Sequence, residues 1–309
     1  MITKVATKSH EEWKELRSKY IGGSDAASVV GLNPFSSAYT LWAEKTGKVP
    51  SFEGNLATEV GTFLEEFVAK KFEEETGKKV RKENHSILND QYPWAIANVD
   101  RVIVGENAGL EIKTTDSMNL SKFKNGEYPS NYYVQCVHYL ALTGKDRWYL
   151  AVLIGNKEFK TFTIERDQEE IDALMKSEEE FWRYVQTNTP PPPDGAESTS
   201  KTLSSIYPNS NGGTADISPF NNDLFEYTRL NAQIKELEKM RDEAANRVKL
   251  YLGETGEGES TRYKVYWKTA QRSSFDTKRF VKDHSDMDLS GYYNHSSYKT
   301  FKVTEKKEK

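Results

Sequence analysis

The chain of 309 residues has a single cysteine, Cys136, and only five histidines. One cysteine cannot form an internal disulfide. It also excludes a Cys-based zinc or iron–sulfur centre within one chain. A reducing cytoplasm, that of a bacterial host, is the expected compartment. No apolar run reaches the ~20 residues that span a bilayer, so no membrane partner is expected. The N-terminus MITKVATKSHEEW has no apolar signal-peptide core. A basic excess is missing as well, since 43 Lys and Arg face 47 Asp and Glu, a net charge of -4. The balance is uneven. From Phe220 onward 18 basic residues oppose 15 acidic ones, a net of +3, which leaves -7 on the first 219 residues. A polyanion would have to be bound through local patches or metal ions rather than through the mean field.

What the chain does have is a polar divider. Thr187 to Ser218 is rich in Pro, Ser, Gly and Asn and opens with four consecutive prolines. It reads as a linker, stiff at its polyproline start and mobile after it. The expected organisation is a body over residues 1–186, a linker over 187–219 and a C-terminal module over 220–309. In the body, helices are expected over His10–Lys19, Asp25–Val30, Thr40–Thr46, Glu59–Thr76, Asn131–Leu142 and Gln168–Gln186. Strands are expected over Val99–Val104, Leu110–Thr114, Arg147–Ile154 and Glu158–Ile164. That order predicts an α/β sandwich. In the module, Tyr227, Leu230, Ile234, Leu237, Ala244, Val248 and Tyr251 keep a 3-4 spacing, interrupted by Arg241. This suits a coiled-coil or helical-hairpin seam. Arg262–Thr269 alternates like a strand.

The chemistry concentrates in VDRVIVGENAGLEIKTT, Val99 to Thr115. Alternate strand residues share a face. Glu111 and Lys113 therefore project together, while Ile112 points into packing. Asp100, on the preceding strand, can approach Glu111. Two converging carboxylates repel unless a cation separates them, and hard oxygen donors favour Mg²⁺ or Mn²⁺. A lysine beside them can orient or deprotonate a water, or stabilise charge developing on a phosphate. A solvated strand face with a cross-strand ion pair would use the same residue types.

The helix around Glu65 adds weight. At about 100° per residue, Val60, Leu64, Phe67, Val68 and Phe72 form one apolar arc; Glu65 borders it and Glu66 faces solvent. On the helix near Gln135, Gln135 and Tyr139 share a face at i, i+4. A glutamine amide there can hold a water or a backbone group near a metal. Cys136 reads as core, and His138 as structural or solvated.

These pieces resemble a known family. Trp13 to Gly47, WKELRSKYIGGSDAASVVGLNPFSSAYTLWAEKTG, resembles the opening of YqaJ-type viral recombinases, relatives of bacteriophage lambda exonuclease within the PD-(D/E)xK nuclease superfamily. The family's order follows: Trp-x-x-x-Arg, Ile-Gly-Gly-Ser-Asp, Gly61-x-x-x-Glu65, Asp100, Glu111-Ile-Lys113 and Gln135-x-x-x-Tyr139. The signature's Pro-Asp is Val99-Asp100 here, a change that leaves the ligating aspartate in place.

The resemblance implies a restriction-endonuclease-like α/β core with a small helical or α+β appendage. Asp100, Glu111 and the Ile112 carbonyl would ligate Mg²⁺, with Mn²⁺ able to substitute, and Glu65 would ligate it or sit one layer out. Lys113 would be the catalytic lysine and Gln135 an auxiliary polar group. Arg17 and Ser24 would receive the 5′-phosphate of a DNA end, the arginine offering a planar fork and Ser24 lying near a helix N-terminus.

The activity so implied is Mg²⁺-dependent 5′-to-3′ exonuclease action on linear double-stranded DNA, leaving 3′ single-stranded tails for phage-type recombination. A single-strand annealing protein is the expected partner. Some relatives form rings, which implies a homo-oligomer. An endonuclease, a single-strand-preferring nuclease, or a non-catalytic end-binding scaffold are the alternatives. The tail's Tyr-, Lys- and Arg-rich run after Phe275 can stack on single-stranded DNA or build an assembly module.

Overall fold

The computed structural model describes residues 1–294, 296 and 298–306. The aromatic-basic run crosses positions 295 and 297, and the module ends at 307–309; these positions lie outside the described residues. Two compact units are present, Met1–Tyr207 and Pro208–Lys309.

The first unit opens with β1 (Ile2–Val5), α1 (His10–Ser18), β2 (Ile21–Gly22), α2 (Gly23–Val29), α3 (Ala38–Lys45) and α4 (Leu56–Thr76). It continues through β3 (Val80–Lys82), β4 (Ser86–Asn89), β5 (Ala95–Ala97), β6 (Arg101–Ile103) and β7 (Ala108–Thr115). It closes with α5 (Ser130–Thr143), β8 (Arg147–Ile154), β9 (Glu158–Glu165), α6 (Gln168–Thr187) and α7 (Glu197–Ile206). The main sheet runs β3-β6-β7-β8-β9, and a smaller one runs β1-β4-β5-β2. β7 and β8 are parallel, and α5 is their crossover; the other pairs of the main sheet are antiparallel.

Local chemistry accounts for the helix ends. Asn55 and Thr58 form a capping box at the start of α4, and Gly77 ends it with a left-handed φ of 70°. Asp167 caps α6 by accepting from the Glu169 and Glu170 amides.

The first five residues of β7 and most of β8 are buried, because α5 and α6 cover one face of the sheet and α4 the other. On the α5 side, Trp148, Leu150, Val152 and Ile154 meet Val134, Val137 and Leu140. On the α4 side, Ile112, Tyr149 and Ala151 meet Val68, Ala69 and Phe72. This corrects the expected arc of α4: Val60 and Phe67 are 44% and 55% exposed, so the buried stripe turns toward Glu65. Cys136 is core, as expected. His138 is structural: fully buried, it lies 2.8 Å from Glu178 through Nδ1 and 3.0 Å from the Ile96 carbonyl through Nε2. Burial would pull its pKa down, but Glu178 outweighs that and holds it up.

The strands of the smaller sheet, and β3, have two to four residues each, too short to show an alternation in sequence. The proposed linker also differs from expectation. Within it, Glu197–Ile206 forms α7, whose buried Thr199 and Thr202 hydrogen-bond Ser37 (2.7 Å) and Thr40 (2.8 Å) at the start of α3. Leu203 and Ile206 join the cluster around Tyr39 and Trp42. Four small or apolar residues at helical spacing suffice to dock a segment that composition marks as polar.

The second unit contains α8 (Asn221–Leu252), the hairpin β10 (Glu257–Glu259) and β11 (Lys264–Tyr266), and α9 (Thr277–Asp283). The expected strand over Arg262–Thr269 is shortened to β11. α8 buries none of its residues, and its seam stays open: Ile234 is 53% exposed and Leu237 64%. Among the described residues no helix is long and apolar enough to cross a membrane.

Two expectations follow. Gly109 sits opposite Trp148 in the β7–β8 register, and a Cβ there would lie 2.3 Å from the indole. Gly109→Ala should cost about 1–3 kcal/mol of stability through overpacking, read as a lower urea midpoint. A chain truncated after Tyr207 should melt cooperatively, whereas one ending at Thr189 should melt at lower temperature, because the surface beneath α7 is laid bare; equal midpoints would show that α7 contributes nothing to the unit.

Candidate active site

β6 and β7 pair with Arg101 opposite Leu110 and Val102 opposite Gly109. One step further along the same register sets Asp100 opposite Glu111. The ladder stops there, and the Asp100 carboxylate takes the place of a backbone acceptor: Oδ2 receives the Ile112 N–H at 2.8 Å. Asp100 thus precedes the strand expected to contain it, and β6 itself is only three residues long.

Strand alternation brings Glu111 and Lys113 to one face, where Lys113 Nζ lies 2.6 Å from Glu111 Oε1. The same oxygen accepts from Gln135 Nε2 at 2.7 Å. Gln135 also donates to the Tyr139 hydroxyl at 2.9 Å, so the i, i+4 pair on α5 acts as one unit. Glu111 is buried, and its Oε2 has no hydrogen-bond partner. Burial drives the Asp100 carboxyl well above the usual carboxylate range, and the nearby charges of Glu111 and Glu65 push the same way. For Lys113, burial works against the ammonium, but Glu111 and Asp100 outweigh it and raise its pKa.

An orphaned buried carboxylate oxygen beside a second carboxylate is the electrostatic signature of a cation site. All donors are hard oxygens, which suits Mg²⁺ or Mn²⁺. Among the described residues no three His, Cys, Asp or Glu side chains form a ready cage. Asp100 and Glu111 are the two carboxylates the fold brings together here. Glu65 is engaged elsewhere: it ion-pairs with Arg101, whose guanidinium also lies 2.8 Å from the Asp100 carbonyl and 2.9 Å from Glu66. Glu66 does face solvent, at 87% side-chain exposure, yet its tip returns to Arg101. The buried Arg101 is the residue sequence reasoning passed over, because an arginine in a short strand looks like surface.

Arg17 and Ser24 do meet: the guanidinium donates to the Ser24 hydroxyl, lies 3.6 Å from Asp25 and sits over the Trp13 ring at 5.4 Å. Asp25 is tied to Lys45 at 2.9 Å and to the Gly22 amide at 3.0 Å. Burial would raise its carboxyl, but Lys45 and Arg17 outweigh that and hold it below the usual range. α2 has seven residues, so its dipole adds little, and the positive charges at this end are Arg17 and Lys45, both facing Asp25. Gly23 lies so close to Tyr139 that a Cβ would stand 2.6 Å from the ring. This close approach sets the start of α2 against Tyr139, whose hydroxyl accepts from Gln135.

The site thus lies on a mixed sheet that brings two carboxylates and a lysine together from adjoining strands, with helices on both faces. Residues 12–146 match the YqaJ-like viral recombinase domain. The chain is 37% identical over 293 residues to the uncharacterized protein YqaJ of Bacillus subtilis, covering 93% of this chain and 92% of that protein. The chain belongs to the YqaJ family. A 55-residue stretch is 40% identical to Protein D345L of African swine fever virus, covering 18% of this chain and 16% of that protein. In fold, the chain is similar to the crystal structure of an alkaline exonuclease, LHK-Exo from Laribacter hongkongensis. The TM-score is 0.50 at 20% identity, over 58% of this chain and 94% of that one.

Arg101→Leu should lower the unfolding free energy by about 2 kcal/mol, less than for a fully buried pair because Glu65 keeps some solvent. Glu66→Ala should leave the denaturation midpoint nearly unchanged. If Arg101→Leu were equally silent, the Arg101–Glu65 pair would not be holding α4 to the sheet.

Proposed function

We propose that this protein is a Mg²⁺-dependent exonuclease that degrades one strand of linear double-stranded DNA from its 5′ end, leaving 3′ single-stranded tails for recombination by annealing. The observation that carries the reading is the convergence of Asp100 and Glu111, with Lys113 on Glu111 and one buried Glu111 oxygen unpartnered. The likeness in fold to an alkaline exonuclease supports the same chemistry.

Asp100, Glu111 and the Ile112 carbonyl would hold Mg²⁺, with Mn²⁺ able to replace it. When bound, the ion neutralises phosphate charge and lowers the pKa of water. Gln135 fixes the Glu111 carboxylate by donating to Oε1. The Ile112 amide fixes Asp100. Lys113 carries three donors and no acceptor, which suits it to stabilise charge on a phosphoryl oxygen. Arg17 and Ser24 offer a guanidinium fork and a hydroxyl to a terminal phosphate, and they favour an end-dependent enzyme over an endonuclease. The second unit is the proposed place of assembly or partner binding. Its open α8 seam suits a homo-oligomer, and a single-strand annealing protein is the proposed partner, in the cytoplasm of a bacterial host.

The test compares linear duplex, 5′-phosphorylated or not, with closed circular duplex in Mg²⁺. Linear DNA should be digested and the circle spared; cutting of the circle would make the protein an endonuclease. Asp100→Ala and Lys113→Ala should each lose on the order of 10²-fold or more in turnover while still folding. Near-normal turnover in either would overturn the assignment. Glu65→Ala should lose more activity than Glu66→Ala, because Glu65 is the half-buried member of the pair.

A further inference from the structure

The carboxylates at the start of β6 and on β7 and the Arg17–Ser24 pair near the start of the chain sit on separate elements, and one residue, through its side chain and its backbone carbonyl, lies between them. Asn98 lies in the link between β5 and β6, two residues before Asp100. Its Oδ1 accepts from Trp13 Nε1 at 2.9 Å and from the buried Ser86 hydroxyl at 2.6 Å. Its backbone carbonyl accepts from the Tyr139 hydroxyl at 2.8 Å. That hydroxyl in turn accepts from Gln135, which holds Glu111.

At the other end, the Trp13 ring lies beneath the Arg17 guanidinium, and His10 stacks on it at 5.3 Å. An indole N–H donates once and accepts nothing, so the Trp13–Asn98 bond has a single direction and fixes the ring's orientation under Arg17. Both lone-pair directions of Asn98 Oδ1 are used, and its carbonyl is fixed as well. The backbone entering Asp100 is therefore held on two sides, by α1 through Trp13 and by α5 through Tyr139.

We infer that Asn98 is a positioning residue that couples Arg17, through Trp13, to Asp100 and Glu111, and so sets how far a 5′-phosphate on the DNA end accelerates cleavage. The inference rests on the proposed function, in which Arg17 and Ser24 receive that phosphate. A residue that merely stapled α1 to the smaller sheet would, when its bonds were cut, slow every substrate alike. A coupling residue changes the ratio between substrates.

The experiment is single-turnover digestion of linear duplex by the full chain in Mg²⁺, on 5′-phosphate and 5′-hydroxyl ends, for the wild type, Arg17→Ala, Trp13→Phe and Tyr139→Phe. Trp13→Phe keeps a ring under Arg17 and removes only the N–H. Tyr139→Phe removes only the hydroxyl. Each removes one hydrogen bond to Asn98 and should reduce the phosphate-over-hydroxyl rate ratio by about fivefold; Tyr139→Phe also takes the acceptor from Gln135, which slows both ends alike. Arg17→Ala should bring the ratio close to one. If Arg17→Ala abolishes the preference while Trp13→Phe and Tyr139→Phe keep the wild-type ratio, or slow both ends equally, the coupling is wrong and the end-binding reading stands. If the wild type shows no preference, or Arg17→Ala keeps it, the end-binding reading falls and takes the coupling with it. Should Trp13→Phe fail to fold, Tyr139→Phe decides the matter by the same ratio.

Discussion

Asp100 and Glu111 repel each other across the open end of the β6–β7 ladder, and their surroundings are arranged to hold that repulsion in place. Left in a low-dielectric cleft, two carboxylates would spread apart or take up a proton. Here Lys113 and Gln135 hold one oxygen of Glu111, the Ile112 amide holds Asp100, and Arg101 ties the Asp100 carbonyl to α4. The unpartnered Glu111 oxygen is what these supports leave over. The buried Glu178, which pairs with His138, also keeps one unpartnered oxygen; what sets Glu111 apart is the second carboxylate that converges on it, the place of the proposed cation.

The packing serves the same end. α4 lies on one face of the main sheet through Val68, Ala69 and Phe72, and this sets Glu65 over Arg101. α5 lies on the other face and presents Gln135 and Tyr139 at one helical turn's spacing. The smaller sheet has no charged site residue of its own. Its contribution is to carry Ser86 and the chain into Asn98, and so to place α1 and Trp13 against the approach to Asp100. Glycine enters where elements come closest: at Gly23 against Tyr139 and at Gly109 against Trp148 a side chain would collide.

The second unit follows a different logic. A helix of 32 residues with no buried position gains little from its own hydrogen bonds in water. Its 3-4 row of apolar residues gives that helix a surface to cover, and the aromatic-basic segment after it adds charge of the opposite sign to the first unit. The proposed catalytic groups lie in the first unit and the proposed assembly surface in the second, so each can be varied separately.

Several features were legible in the sequence because they depend on local periodicity. Strand alternation alone sets Glu111 and Lys113 on one face, and helical spacing alone pairs Gln135 with Tyr139. The long helices could be read from the spacing of their apolar residues, and the ordered motifs from Trp13 to Tyr139 indicated the family. Other features depended on contacts between residues far apart in the chain, and periodicity carries no record of those. The face of α4 that is buried was decided by where the sheet lies, so Val60 and Phe67 are exposed although their spacing suits a core. α7 folds within a polar segment because α3 offers Ser37, Thr40 and Trp42 to receive it. The engagement of Glu65 by Arg101, and the reach of Trp13 to Asn98 across 85 positions of chain, exist only once the sheets and helices have closed around them. The residue types that can hold a metal are a property of the sequence; which of their oxygens remains free is a property of the tertiary structure, because hydrogen bonds from distant residues occupy the others.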